Sequence, residues 1–259
     1  MLLNQLHPAI ENKVKDLMSA RRSRLDRLIG RQLGISRDAV RLLLAQKRIK
    51  VNGKIVEARD LIVDGFSVIT LDDNPVQSQP AVYLMLHKPC GVLSATRDGK
   101  HPVVTDLVTH AAVADLHIAG RLDLHASGLL LLTNDGAWSR QLSHPVSGLN
   151  KQYEVSLKNP INTDYITAFA EGMYFGYENI TTRPAQLEIL GERTARVTLQ
   201  EGRYHQLKRM FGRFRNPVLG IHRTAIGELK LDDSLQAGQY RELDSSEAGA
   251  AKKPSICPG

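Results

Sequence analysis

Hydrophobic positions between residues 24 and 44, RLDRLIGRQLGISRDAVRLLL, recur at helical spacing: Leu25, Leu28, Ile29 and Leu33, then Ala39, Val40, Leu43 and Leu44. Gly34 stops the first run, because glycine takes a left-handed C-cap without steric cost, and Ser36 offers a capping oxygen to the second. Two short helices joined by a tight turn are predicted. Beyond them the period changes to two. IKVNGKIV alternates around Asn52-Gly53, a pair suited to two-residue hairpin turns, and LIVDGFSVITL continues in strand character to Leu71. Residues 22–71 therefore read as two helices against a small sheet.

The pattern then breaks. LDDNPVQSQPA is rich in Asp, Asn, Gln, Ser and Pro, and residues 72–81 read as a linker. A new apolar strand opens in YLMLHKPCGVL, and strands and helices alternate from there to about residue 244. Strands are predicted at 82–87, 129–133, 151–158, 184–190 and 194–200, and helices near 136–143, 162–171 and 203–214. This is an α+β chain whose larger domain, 82–244, is a mixed sheet flanked by helices. Residues 1–21 form an N-terminal extension with charges every few positions, and SSEAGAAKKPSICPG, 245–259, reads as a disordered tail.

Composition narrows the class. At 259 residues, with 42% hydrophobic and 24% charged residues, the chain suits two soluble globular domains, and no apolar run approaches the ~20 residues needed to span a bilayer. The N-terminus lacks the continuous apolar core and small-residue cleavage site of an export signal. Cys90 and Cys257 fit neither a disulfide framework nor a metal spacing, so a reducing cytoplasm is the expected home. No His/Cys/Asp cluster has ligand spacing and no Gly-rich strand-to-helix loop suits a nucleotide phosphate; neither metal nor organic cofactor is expected.

Charge changes the picture further. The net charge is +7, yet residues 1–60 hold 14 Lys and Arg against 6 Asp and Glu, while the remaining 199 hold 20 against 21. Such segregation argues for a polyanion-binding module attached to a nearly neutral body. Arg27, Arg31, Arg37, Arg41, Lys47, Arg48 and Lys50 are its candidate phosphate contacts. The order RLDRLI, GISRDAV, KRIKVNGKIV resembles the small RNA-binding domain named after ribosomal protein S-four.

Candidate chemistry lies in the larger domain. In AGRLDLHASGLLLLTNDG, Gly120 permits an unusual backbone angle, Leu122 points inward, and Arg121 and Asp123 project together to the other side. Gly128 closes the loop, and Leu129 to Leu132 supply a buried strand that holds it rigid. A structural salt bridge between Arg121 and Asp123 explains this motif alone equally well. A second segment, EGRYHQLKRMF, gathers Arg203, His205, Lys208 and Arg209 at a helix start, with Leu207, Met210 and Phe211 as its docking face. Stability explains such a density of donors poorly, since surface ion pairs contribute little. KQYEV adds Tyr153, whose alternation sends it toward the same cleft, although a strand tyrosine is more often plain core.

GRLDLHASGLLLLTNDG, KQYEV and EGRYHQLKRMF, with HKPCG at 87–91, resemble in order the motifs of the RsuA-type ribosomal RNA pseudouridine synthases. The resemblance implies a catalytic domain with a mixed, mainly antiparallel sheet, preceded by the S-four-like domain. It implies that Asp123 is the catalytic aspartate, Tyr153 the aromatic lying against the target base and Lys208 the basic partner of Asp123. Arg121 would fill the space left by the flipped nucleotide, Leu207 would pack near the uracil, and His205 and Arg209 would join the substrate contacts. His125-Ala126-Ser127 departs from the family's usual Asp-Thr-Thr, with Ser127 the candidate to replace a lost hydroxyl. YHQLKRM resembles members acting on small-subunit RNA more than those acting on large-subunit RNA. The implied partner is ribosomal RNA in a partly assembled small subunit, met by a monomeric protein. Two other readings predict no isomerisation: a non-catalytic RNA-binding or ribosome-assembly protein, and a hydrolase using Asp123 with His125 or His205.

Overall fold

The computed structural model describes residues 23–78, 80–144 and 147–253. The N-terminal extension expected at 1–21 lies outside the described residues, as does Cys257. The chain divides into two compact units, one ending at Ala81 and the other beginning at Val82.

In the first unit, β1 (Ser23–Arg24) leads into α1 (Leu25–Leu33), which buries Leu25, Leu28 and Ile29 and ends at Gly34 with φ +66°. Ser36 caps α2 (Arg37–Ala45), its hydroxyl accepting the Ala39 N–H at 3.2 Å, and α2 buries Val40 and Leu44. These faces meet Ile49 and Val51 of β2 (Ile49–Val51) and Ile69 beyond it. Each such side chain contributes about 1.5–3 kcal/mol on leaving water. The turn from β2 into β3 (Lys54–Ile55) has φ of +50° at Asn52 and +77° at Gly53, as a two-residue hairpin requires. β4 (Ile62–Val63) pairs with β1, and β5 (Ile69–Leu71) continues a sheet of order β3-β2-β5-β6. Its last member, β6 (Asn74–Gln77), corrects the expected linker: four of those residues form an edge strand, with Gln77 donating to Asp64 and Ser67 carbonyls. Pro75 is tolerated there because an edge strand leaves one row of donors unused.

The second unit is built on a nine-stranded sheet. In chain order its strands are β7 (Tyr83–Lys88), β8 (His117–Ala119), β9 (Ala126–Thr133), β10 (Lys151–Leu157), β13 (Gln186–Gly191), β14 (Thr194–Leu199), β15 (Val218–Ile226), β16 (Leu229–Lys230) and β17 (Tyr240–Glu242); β11 (Tyr174–Phe175) and β12 (Ile180–Thr181) make a separate hairpin. The main path is β13-β14-β10-β15-β9-β7-β17, and only β15 with β9 is parallel. The sheet is thus mixed and mainly antiparallel.

Alternation along β9 shows how the layers form. Leu130 and Leu132 enter one core with Tyr165 and Phe169 of α4 (Asp164–Glu171) and Leu207, Met210 and Phe211 of α5 (Gln206–Gly212). Leu129 and Leu131 enter a second core with Trp138 and Leu142 of α3 (Gly136–Ser143) and Ala248 of α6 (Ser245–Ala250). Both faces of the central strand are covered, hence its continuous leucines.

Three expectations change. The helix predicted over 203–214 starts at Gln206, because His205 sits in the left-handed region with φ +47°. The strand β15, central to the sheet, was not expected. The tail is not wholly disordered: Asp244 and Glu247 form a capping box for α6, and Trp138 Nε1 donates to the Ala248 carbonyl at 2.9 Å. Small alanines allow that helix to sit close against the sheet without a large apolar face.

Candidate active site

The loop between β8 and β9 carries Arg121 and Asp123, and its backbone carbonyls are held. Gly120 has φ +86°, and Leu122 is buried with both backbone groups bonded to the Ser94 hydroxyl, which donates to its carbonyl at 2.7 Å and accepts its N–H at 3.1 Å. The Gly91 N–H donates to the Leu124 carbonyl at 2.8 Å, and the Ala126 N–H to the Asp123 carbonyl at 3.0 Å.

Two buried cations complete the hold. Arg223, 1% exposed, donates from Nε to the Leu129 carbonyl at 2.8 Å, from Nη2 to Gly120 at 2.7 Å and from Nη1 to Arg121 at 3.3 Å. Lys88, fully buried, donates to the carbonyls of Ala126 at 2.7 Å, Pro89 at 2.9 Å and Leu124 at 3.4 Å. Among the described residues neither has a carboxylate within ion-pair distance; their hydrogen bonds go to backbone carbonyls. Burial, opposed by Cys90 and Asp123 and aided by Arg223, brings the Lys88 ammonium down to about 8. Lys151 is likewise pushed to about 8 by burial and by Arg223.

The approach of β15 to this loop needs Gly128. Its φ is +106°, and a Cβ there would lie 2.3 Å from the Arg223 carbonyl oxygen. The Ser127 hydroxyl does not steady the loop; it bonds His222 Nδ1 at 2.9 Å, and burial followed by His87 lowers the pKa of His222. The hydroxyl expected from Ser127 is thus engaged elsewhere, and Lys88 holds the stretch instead.

Arg121, Asp123, Tyr153, His205 and Leu207 all line one cavity of about 500 Å³, within the ~300–1,000 Å³ usual for small-molecule sites. Tyr153 is only 7% exposed, and its ring centroid lies 6.0 Å from the Arg223 guanidinium carbon. Arg121 and Asp123 share the cavity without forming the structural salt bridge with each other that the motif alone allows. Among the described residues the basic side chain within 4 Å of the Asp123 carboxylate is His205, whose Nε2 lies 3.6 Å from Oδ2.

Lys208 does not make the pair with Asp123 that the resemblance implied. It stands outside the cavity lining and has no ion-pair partner within 4 Å among the described residues. The late start of α5 leaves His205 ahead of the helix, turned toward the carboxylate. Arg209 also points elsewhere, with its guanidinium 3.7 Å above the Phe175 ring and both arms on Glu178. Sequence reasoning missed Lys88 and Arg223. The signal was present in β15, where Arg223 occupies an inward position between Ile221 and Ala225.

In the first unit, Arg27, Arg31, Arg37 and Arg41 are exposed and have no ion pair within 4 Å among the described residues. Lys47, Arg48 and Lys50 are instead paired with Glu57, Asp72 and Asp73. Spacing of four places each arginine pair on one face of its helix. Among the described residues no helix is long and apolar enough to cross a membrane, and no three His, Cys, Asp or Glu side chains gather as a metal site.

The family model for RNA pseudouridylate synthase matches residues 82–212. A Pseudomonas aeruginosa relative, ribosomal small subunit pseudouridine synthase A, is 48% identical over 225 residues, 86% of this chain and 98% of that one. The Escherichia coli protein of the same name is 38% identical over 86% of this chain and 97% of its own. A crystal structure of a pseudouridylate synthase superposes with a TM-score of 0.65 at 37% identity, covering 88% of this chain and 99% of the other. The chain belongs to the RNA pseudouridylate synthase family.

Proposed function

We propose that the protein converts one uridine of small-subunit ribosomal RNA to pseudouridine, acting as a cytoplasmic monomer on a partly assembled particle and needing no cofactor. The relatives named for the small ribosomal subunit support the target, as does YHQLKRM. The observation that carries the chemistry is the Asp123 carboxylate in a cavity shared with Tyr153, its loop fixed by Lys88 and Arg223.

The isomerisation breaks the bond between ribose C1′ and uracil N1, turns the ring and rejoins C1′ to C5. The C5 hydrogen leaves as a proton and N1 gains one, so no redox partner is required. Asp123 attacks the base or sugar, or accepts the proton, and the cavity keeps freed uracil from leaving. The target must first be extruded from folded RNA, at a cost of a few kcal/mol. Stacking on Tyr153, packing by Leu207 and insertion of Arg121 offset that cost. The first unit, extended through β6, serves as the S-four-like RNA-binding module, with Arg27, Arg31, Arg37 and Arg41 as its free cations and Lys47, Arg48 and Lys50 beside them.

Asp123→Asn should lower tritium release from RNA labelled at uridine C5 by at least about 1,000-fold, or ~4 kcal/mol of transition-state stabilisation, while RNA binding survives. Substantial turnover by that variant would remove Asp123 from its role. Pseudouridine mapping in ribosomal RNA from cells with and without the protein tests the target, and a missing large-subunit site would move it.

A further inference from the structure

Tyr204 is 75% exposed on the rim of the Asp123 cavity, yet the turn that carries it is fixed from beneath. The Glu201 carboxylate, 4% exposed, accepts the Arg183 N–H at 3.1 Å, Gln206 Nε2 at 2.8 Å and Arg203 Nε at 2.9 Å. Buried Gln206 in turn accepts the Arg203 N–H at 3.0 Å. This network fixes the backbone on either side of Tyr204 and supports the left-handed conformation of His205, which non-glycine residues adopt only where their surroundings hold it. One face of the Tyr204 ring lies on the His205 imidazole, with centroids 3.9 Å apart and planes at 21°. The other face is open, and its hydroxyl has no hydrogen-bond partner among the described residues.

We propose that Tyr204, backed by His205, is a stacking platform for an unpaired nucleobase adjoining the flipped uridine; this rests on the RNA-modifying reading above. A rigid, half-covered ring at the mouth of a pocket for one base lies where the neighbouring nucleotide emerges. Every base offers a π face, so such a surface holds an unpaired nucleotide without reading its sequence. The turn is already ordered in the free protein, so little freedom is lost on binding. His205 links the platform to the chemistry, since the imidazole that backs Tyr204 also stands 3.6 Å from Asp123. Seating of the neighbouring base thereby settles the group beside the catalytic carboxylate.

Two readouts test this. In tritium release from small-subunit ribosomal RNA, Tyr204→Phe should match the wild type, and Tyr204→Ala should raise KM roughly 10-fold, a larger effect than on kcat. The second readout needs no turnover: an oligouridylate nonamer carrying 2-aminopurine beside its central uridine is titrated with each protein. Wild type and Tyr204→Phe should quench its fluorescence by stacking, and Tyr204→Ala should not. Equal quenching by wild type and Tyr204→Ala overturns the platform, whether or not tritium is released. Quenching lost in Tyr204→Ala, from a wild type that releases no tritium, supports the platform and removes the isomerase reading instead.

Discussion

The molecule uses its cations in two opposite ways. Around the Asp123 loop, Lys88 and Arg223 are buried and each donates to three backbone carbonyls. On α1 and α2, Arg27, Arg31, Arg37 and Arg41 stand in solvent with no ion pair among the described residues. The first arrangement is costly in desolvation and is compensated only by good geometry, so it fixes shape. The second costs only the mild repulsion of like charges on one helix face and leaves charge for a partner with many phosphates. A rigid site and an adhesive surface thus come from the same residue types in different dielectric surroundings.

The contrast can be broken most forcefully at Arg223. Arg223→Met leaves the Gly120, Arg121 and Leu129 carbonyls without their donor and should cost about 3–5 kcal/mol in urea unfolding. Arg223→Lys, which keeps the charge but not the fork, should recover only part of it. A Met variant as stable as the wild type would show that the cation does not hold the loop.

Next in size is the exposed set. Replacing Arg27, Arg31, Arg37 and Arg41 together by Gln should weaken ribosomal RNA binding roughly 100-fold near physiological salt and flatten the salt dependence by about 0.7 per lost contact, with unfolding stability unmoved. Filter-binding titrations across a salt series measure both.

Lys88 gives a smaller effect with a defined sign. Its folded value of about 8 lies below the ordinary 10.5, so the unfolded chain binds more protons between those limits and stability rises with pH across that window. Relative to Lys88→Met, which cannot titrate, the wild type should gain ~2 kcal/mol between pH 7.5 and 9.5. A constant difference over that range would mean the ammonium is not desolvated. Smallest of all, replacing Lys47, Arg48 and Lys50 by Gln should reduce RNA affinity less than the arginine set does, because Glu57, Asp72 and Asp73 already neutralise them. A larger loss from this trio would reverse the ranking of the two groups.

How much was legible followed the range of the forces involved. The α1–α2 pair was readable because Leu25, Leu28, Ile29, Val40 and Leu44 repeat at helical spacing and Gly34 and Ser36 are local signals. Strand β15 was missed because Arg223 interrupts its apolar alternation, and only the carbonyls of a distant loop make a buried arginine acceptable there. The C-terminal helix was missed for lack of an apolar stripe, although Asp244 and Glu247 spelled a capping box. The helix start at 206 turned on His205, whose left-handed backbone depends on contacts that Glu201 makes with Arg183, Arg203 and Gln206.

For the site, the sequence by itself determined the parts: Asp123 behind Gly120, Tyr153 on an alternating strand, and Leu207 on a helix face, since each depends on neighbours a few residues away. Only the tertiary structure decided which basic side chain meets which carboxylate. His205 rather than Lys208 stands beside Asp123, and Lys88 and Arg223 lie beneath its loop, because burial and charge pairing are set by strands brought together from far along the chain.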